Sequence, residues 1–207
     1  MLNLKLPEQR RKLYIEIALR RCRTGSGSSR EFLLRRTWNK PVTNIKVLIK
    51  NTPFVVVGGI ATRLYMPERM TDDIDILILS QQATNIYREL EQAGSRRVGE
   101  LSIGGSSWQL PDGTYLDVIE SSEPWVREAI SNPNNAPDGL PIIGLPYLVL
   151  MKLKASRGID MGDLTRMLGG ADETALRLVR MAVQSFLPDA VEDLESLIVL
   201  GKLEMGE

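Results

Sequence analysis

The run ERMTDDIDILIL, residues 68–79, places Asp73 and Asp75 two positions apart at the mouth of an apolar, strand-like stretch over 74–79. Side chains of an extended chain alternate between faces, so these two carboxylates project on the same side. Like charges held together repel, and partial burial adds to the cost. A later run, YLDVIE, sets Asp117 between apolar Leu116 and Val118. Neighbouring strands that carry all three acids to one sheet edge would gather the hard oxygen donors that Mg²⁺ takes, with positions left for water and phosphates. Two such ions activate an attacking oxygen and stabilise a leaving one.

Upstream, PFVVVGG reads as a strand over 54–57 broken by Gly58 and Gly59. Lacking side chains, the two glycines let backbone N–H groups approach a triphosphate at a helix N-terminus, where the helix dipole favours an anion. Arg69 suits either a phosphate or its neighbour Asp72, and Arg69 and Thr71 are candidate nucleotide-binding residues alongside the two glycines.

Elements must position these residues. Charges interleaved with Leu13, Ile15, Ile17 and Leu19 predict a helix over 7–23, imperfect in its period. TGSGSS, 24–29, is a linker, since no strand precedes it and no Walker lysine follows. A short helix is expected over 43–50, the strand over 54–57, a helix over 60–66, the acidic strand over 74–79 and a helix over 81–93. Strands follow near 97–103, 106–110 and 114–119, the last two joined as a hairpin by the PDG turn at 111–113. SNPNNAPDGLP, 131–141, reads as loop, and the chain beyond Pro146 as helices over 147–158, 160–168, 172–186 and 188–200. The expected organisation is a basic helical region over 1–51, an α/β core over 52–143 and a helical region over 144–207. The class is α+β, a mixed sheet with flanking helices.

Composition narrows the chemistry. The 207 residues contain no His, which removes His triads, His bases and His metal sites. Cys22 is the sole cysteine, so no internal disulfide forms, which suits a reducing compartment. No apolar run has the length of a membrane span, and the first residues lack a signal peptide's apolar core, so a cytoplasmic protein without membrane partners is expected. Lys plus Arg and Asp plus Glu each number 26. The balance is uneven: Arg10, Arg11, Arg20, Arg21 and Arg23 make the start basic, which fits either a solvated helix face or a phosphate-contacting surface. Trp108 and Trp125 are expected in the core rather than as stacking platforms.

VVVGG, followed at this spacing by TDDIDIL and then YLDVI, resembles the nucleotidyltransferase superfamily that includes DNA polymerase beta. The resemblance implies the nucleotidyltransferase fold, with the phosphates of a nucleoside triphosphate bound at Gly58 and Gly59. It implies metal ligation (Mg²⁺ or Mn²⁺) by Asp73, Asp75 and Asp117, with Asp117 also the base. KLKASRGIDMGDL, 152–164, together with ERMTDDID, is similar to bacterial nucleotidyltransferase-like toxins of abortive-infection, type IV toxin–antitoxin systems. That likeness implies that Lys152 reaches the nucleotide phosphates and that Arg157, Asp160 and Asp163 shape the pocket. Lys154 competes with Lys152 for that role, and Asp160 also fits a helix cap. The implied reaction moves a nucleoside monophosphate to an acceptor hydroxyl: tRNA or other RNA, a protein side chain, or a small molecule such as an aminoglycoside. A cognate antitoxin is the implied protein partner. The competing reading is a nucleotide- or partner-binding module without turnover.

Overall fold

In the computed structural model, residues 6–25, 28–40, 42–71 and 73–207 are described. Helices α1 (Pro7–Arg21) and α2 (Arg30–Leu34) come first, then strand β1 (Val55–Val57), helix α3 (Gly58–Ala61) and strand β2 (Asp73–Leu79). Helix α4 (Ala83–Gln92), strands β3 (Arg96–Glu100), β4 (Gly105–Gln109) and β5 (Tyr115–Ser121), and helix α5 (Val126–Ser131) follow. Strands β6 (Asn134–Asn135) and β7 (Pro141–Ile142) lead to helices α6 (Leu145–Ala155), α7 (Gly158–Gly169), α8 (Glu173–Phe186) and α9 (Val191–Glu204). The expected helix over 43–50 is a single 3-10 turn, Ile45–Val47, and the stretch after Ala61 continues as the 3-10 turn Thr62–Leu64.

The chain divides into two units. One joins the described residues of Met1–Thr37 to Leu64–Pro67 and Leu145–Glu207; the other comprises Trp38–Arg63 and Glu68–Gly144. In this division the first helix belongs with the C-terminal helices, and the residues from Trp38 onward belong with the sheet.

In the sheet unit, the described strands form one mixed sheet in the order β3-β4-β5-β2-β1-β7-β6. β2 lies near its centre, antiparallel to β1 and parallel to β5. Ile76, Leu77 and Ile78 are all buried, as an inner strand covered on both faces requires. Helix α4 buries Ile86 and Leu90, four positions apart on one face, as its amphipathic pattern predicts. The hairpin expected at PDG is present as β4 and β5, with Gln109 opposite Tyr115. The segment read as loop instead carries β6 and β7, and β7 extends the sheet beside β1 through the pairing of Val56 with Ile142. Trp108 and Trp125 are buried, in agreement with the core reading.

In the helical unit, α7 packs on α9, α6 on α8, and α1 on both α6 and α9. The α7–α9 crossing is close enough for backbones to touch: a Cβ at Gly201 would lie 2.3 Å from the Thr165 carbonyl oxygen and 2.6 Å from the Gly169 nitrogen. Gly201→Ala is expected to destabilise the protein by about 1–3 kcal/mol through this overpacking. Denaturant unfolding would show it as a lower midpoint at unchanged slope.

Two of the five arginines at the basic start, Arg10 and Arg11, turn inward. Arg11 is 3% exposed; its Nε pairs with Asp193 Oδ2 at 2.7 Å, and its Nη1 donates to the Leu153 carbonyl at 3.1 Å. Arg10 donates to the carbonyls of Ser156 and Ala155, both at 3.1 Å. Carbonyls at the last turn of a helix have no partners within it, so these two arginines supply the donors that α6 lacks at its end. Arg20, Arg21 and Arg23 remain exposed, with Arg20 paired to Glu16.

Candidate active site

The register of the sheet sets the acidic residues side by side. In the parallel ladder Asp75 stands directly opposite Asp117, and Asp73 opposite Tyr115. Period-two alternation then gives Asp73, Asp75 and Asp117 one common face, as the strand reading requires. Asp73 is exposed at the start of β2, while Asp75 and Asp117 are half-buried. Ser107, across from Asp117 on β4, donates its hydroxyl to Asp117 Oδ1 at 2.5 Å.

The glycines come from the neighbouring strand. β1 ends at Val57, opposite Asp75, and the chain turns at Gly58 with φ +64°. A Cβ at Gly58 would lie 1.9 Å from Asp75 Oδ2, so the carboxylate rests directly over this glycine. At Gly59 a Cβ would lie 2.8 Å from Thr71 Oγ1 and 3.3 Å from Arg69 Nη1. Gly58, Gly59, Arg69, Thr71, Asp75 and Asp117 thus meet at one edge of the sheet, with Asp73 on the same face.

Gly58→Ala tests that proximity. An alanine in the left-handed region costs about 1–2 kcal/mol by itself. Its methyl would also displace the Asp75 carboxylate. The loss should shrink by about 0.5–3 kcal/mol in an Asp75→Ala background, the coupling expected of residues in contact. Additive losses in denaturant unfolding would mean that the two do not touch.

The loop that carries Arg69 and Thr71 is anchored from below. Glu68 pairs with buried Arg63 at 3.2 Å and accepts from the backbone nitrogens of Asn39 and Lys40 at 3.2 and 3.4 Å. Arg63 also donates to the Lys40 carbonyl at 3.0 Å and stacks 5.3 Å over the Trp38 ring. Asp72, the alternative partner of Arg69, lies outside the described residues; Arg69 Nη1 donates to the Met70 carbonyl at 3.2 Å.

Carboxylate oxygens from adjacent strands are the donor chemistry a hard divalent cation takes, and Ser107 is the hydrogen-bond partner that Asp117 has among the described residues. The three acids share a face without being gathered into a cage: among the described residues no three acidic side chains form a group that could hold a metal ion. The set fits a cation chiefly through Asp75 and Asp117, which the ladder holds in register.

The residues expected from the second motif form a cluster in the helical unit. Lys152, 4% exposed, sits 3.1 Å from Asp160 Oδ1 and 2.7 Å from Asp163 Oδ2. Arg157 reaches Asp160 with Nε at 2.7 Å and Nη2 at 3.2 Å. Asp160 is not the N-cap: it lies three residues after Arg157 and accepts that residue's backbone N–H at 3.2 Å. Burial pushes the Asp160 pKa up, but the Arg157 hydrogen bonds and the Lys152 charge outweigh it and hold the carboxyl below its ordinary value. A buried ammonium needs such partners, and here α7 supplies both. The structure therefore gives Lys152 a role in joining α6 to α7, not an open cationic face.

Sequence reasoning missed Ser107, although a signal was present. Ser107 and Asp117 are equidistant from Asp112 at the centre of the hairpin turn, so a symmetric hairpin pairs them.

No protein-family model matches the chain, and no curated protein matches it. Among solved structures it is similar to the solution structure of the antibiotic-resistance factor ANT(2'')-Ia, at 20% identity over 72% of this chain and 82% of that one, with a TM-score of 0.40. It is also similar to the Thermotoga maritima CCA-adding enzyme complexed with tRNA, at 19% identity and a TM-score of 0.37, over 85% of this chain and 50% of that one. A cytoplasmic RNA terminal U-transferase matches at 15% identity and a TM-score of 0.28, over 79% of this chain and 43% of its own.

Proposed function

We propose that the chain is a metal-dependent nucleotidyltransferase that moves a nucleoside monophosphate from a nucleoside triphosphate to an acceptor hydroxyl. The observation that carries this reading is the pairing of Asp75 with Asp117 in register, with the bare backbone of Gly58 under the Asp75 carboxylate. Such a site packs an anionic cluster directly against main chain that has no room for a side chain, and the sequence resemblance to the nucleotidyltransferase superfamily assigns these same positions.

Asp75 and Asp117, with Asp73 beside them, would hold Mg²⁺ or Mn²⁺. The ion, when bound, offsets charge on the phosphates and on the leaving pyrophosphate. The missing side chains of Gly58 and Gly59 let Asp75, Thr71 and Arg69 lie against the main chain, and the Thr71 hydroxyl and Arg69 guanidinium would bind and orient the triphosphate's oxygens there. Asp117, its Oδ1 held by Ser107, takes the acceptor's proton on Oδ2. The acceptor oxygen bonds to the α-phosphorus as the bond to the β-phosphate oxygen breaks, and pyrophosphate leaves.

A toxin-like role, with tRNA as acceptor and an antitoxin as partner, is supported by the KLKASRGIDMGDL resemblance alone. Arg10 and Arg11 no longer favour RNA, because their donors serve the protein's own carbonyls and Asp193. The deciding experiment incubates the protein with Mg²⁺ and each of the four α-labelled nucleoside triphosphates, adding total RNA, a protein extract or an aminoglycoside. Label in one fraction identifies the acceptor class. Binding of triphosphate with no transfer to any of them would favour a binding module instead.

A further inference from the structure

We infer that Ser107 is a positioning residue for Asp117, fixing the carboxylate that the proposed reaction uses; the inference rests on the site reading given above. Asp117 has a neighbour on each side in the sheet. On β2 that neighbour is Asp75, a like charge in register, and on β4 it is Ser107, also in register. A carboxylate beside another carboxylate swings away from it unless something holds it. The Ser107 hydroxyl does so with a 2.5 Å hydrogen bond to Oδ1, within the short range of O–H···O⁻ bonds. The bond takes one oxygen and fixes the χ angles of Asp117, so Oδ2 is the atom presented to a cation or to an acceptor proton.

The adjacent serine shows that the arrangement is specific to a face. Ser106 projects to the opposite side of β4, where it is buried and accepts from Trp108 Nε1 at 2.9 Å. Two neighbouring hydroxyls therefore do different work: Ser106 satisfies a core tryptophan, and Ser107 holds a carboxylate on the face shared with Asp73 and Asp75. Among the described residues, the hydroxyl that bonds Asp117 is that of Ser107.

Mn²⁺ binding to the full chain, followed by electron paramagnetic resonance without nucleotide, reads this role apart from turnover. Ser107→Ala is expected to weaken Mn²⁺ binding by about 10- to 100-fold, the usual effect of removing a partner that orients a metal ligand. Ser107→Thr, which keeps the hydroxyl, should restore it. Ser106→Ala should lower thermal stability and leave Mn²⁺ binding as in the wild type. If Asp117→Asn loses Mn²⁺ while Ser107→Ala binds it like the wild type, the positioning role is overturned and the site reading stands. If the wild type itself binds no Mn²⁺, or Asp117→Asn binds it equally well, the site reading falls and takes this inference with it.

Discussion

Asp75→Asn is expected to lower nucleotide transfer by about a thousandfold or more while the fold survives. A metal-held carboxylate contributes several kcal/mol of charge stabilisation in the transition state, and each ~1.4 kcal/mol is tenfold in rate. Asparagine keeps the shape of Asp75 over Gly58 but removes half of the charge pair that faces Asp117. Removing a like charge relieves repulsion, so thermal stability without metal should be unchanged or higher. Asp117→Asn should behave in the same way. Transfer assays beside circular dichroism melts check both arms, and full activity in either variant would remove the acidic pair from the mechanism.

Lys152→Met should cost about 3–5 kcal/mol of stability, because it leaves Asp160 and Asp163 buried without the ammonium between them. Triphosphate binding by the folded fraction should change little. Lys154→Met, at a half-buried position, should cost far less. Wild-type stability with weakened triphosphate binding in Lys152→Met would return this lysine to the phosphates. The same cluster predicts an acid dependence. The Asp160 pKa is lowered in the folded state, so its contribution is present above the unfolded value and is lost as pH falls through the folded one. The loss should therefore appear below about pH 4, near the ordinary aspartate pKa, and be absent from Asp160→Asn. Denaturant midpoints measured across that range decide it.

Local signals made the sheet and its acidic edge legible. The alternation of DIDILIL and the symmetric PDG turn specify which faces and which registers form, and both are short-range facts. Strands β6 and β7 were invisible because two residues carry no alternation; only their pairing with each other and with Val56 makes them strands. The partners of Lys152 and Arg11 are illegible for a different reason. A basic residue on a helix ordinarily reads as solvated, and what buries these two lies on other helices: Asp160 and Asp163 for one, Asp193 for the other. Arg11 shares a buried stripe with Ile15, four residues on, which is why the period of α1 looked imperfect. Pairing across elements leaves no trace in periodicity.

The union of α1 with α6 and α9 also sets an order in time. Arg11 and Asp193 are 182 positions apart, so on the ribosome the arginine is made first and its partner near the end. At the usual pace of synthesis that interval is roughly 10–35 s. Throughout it the first helix has neither Asp193 nor, for most of that time, the carbonyl end of α6 to dock against. Isolated helices of such length are marginal in water. The sheet, whose strands are all made by Ile142, can assemble during this wait. Closure of the helical unit is then a late event of synthesis, and until it happens the first helix lacks the partners that bury Arg11 and Ile15.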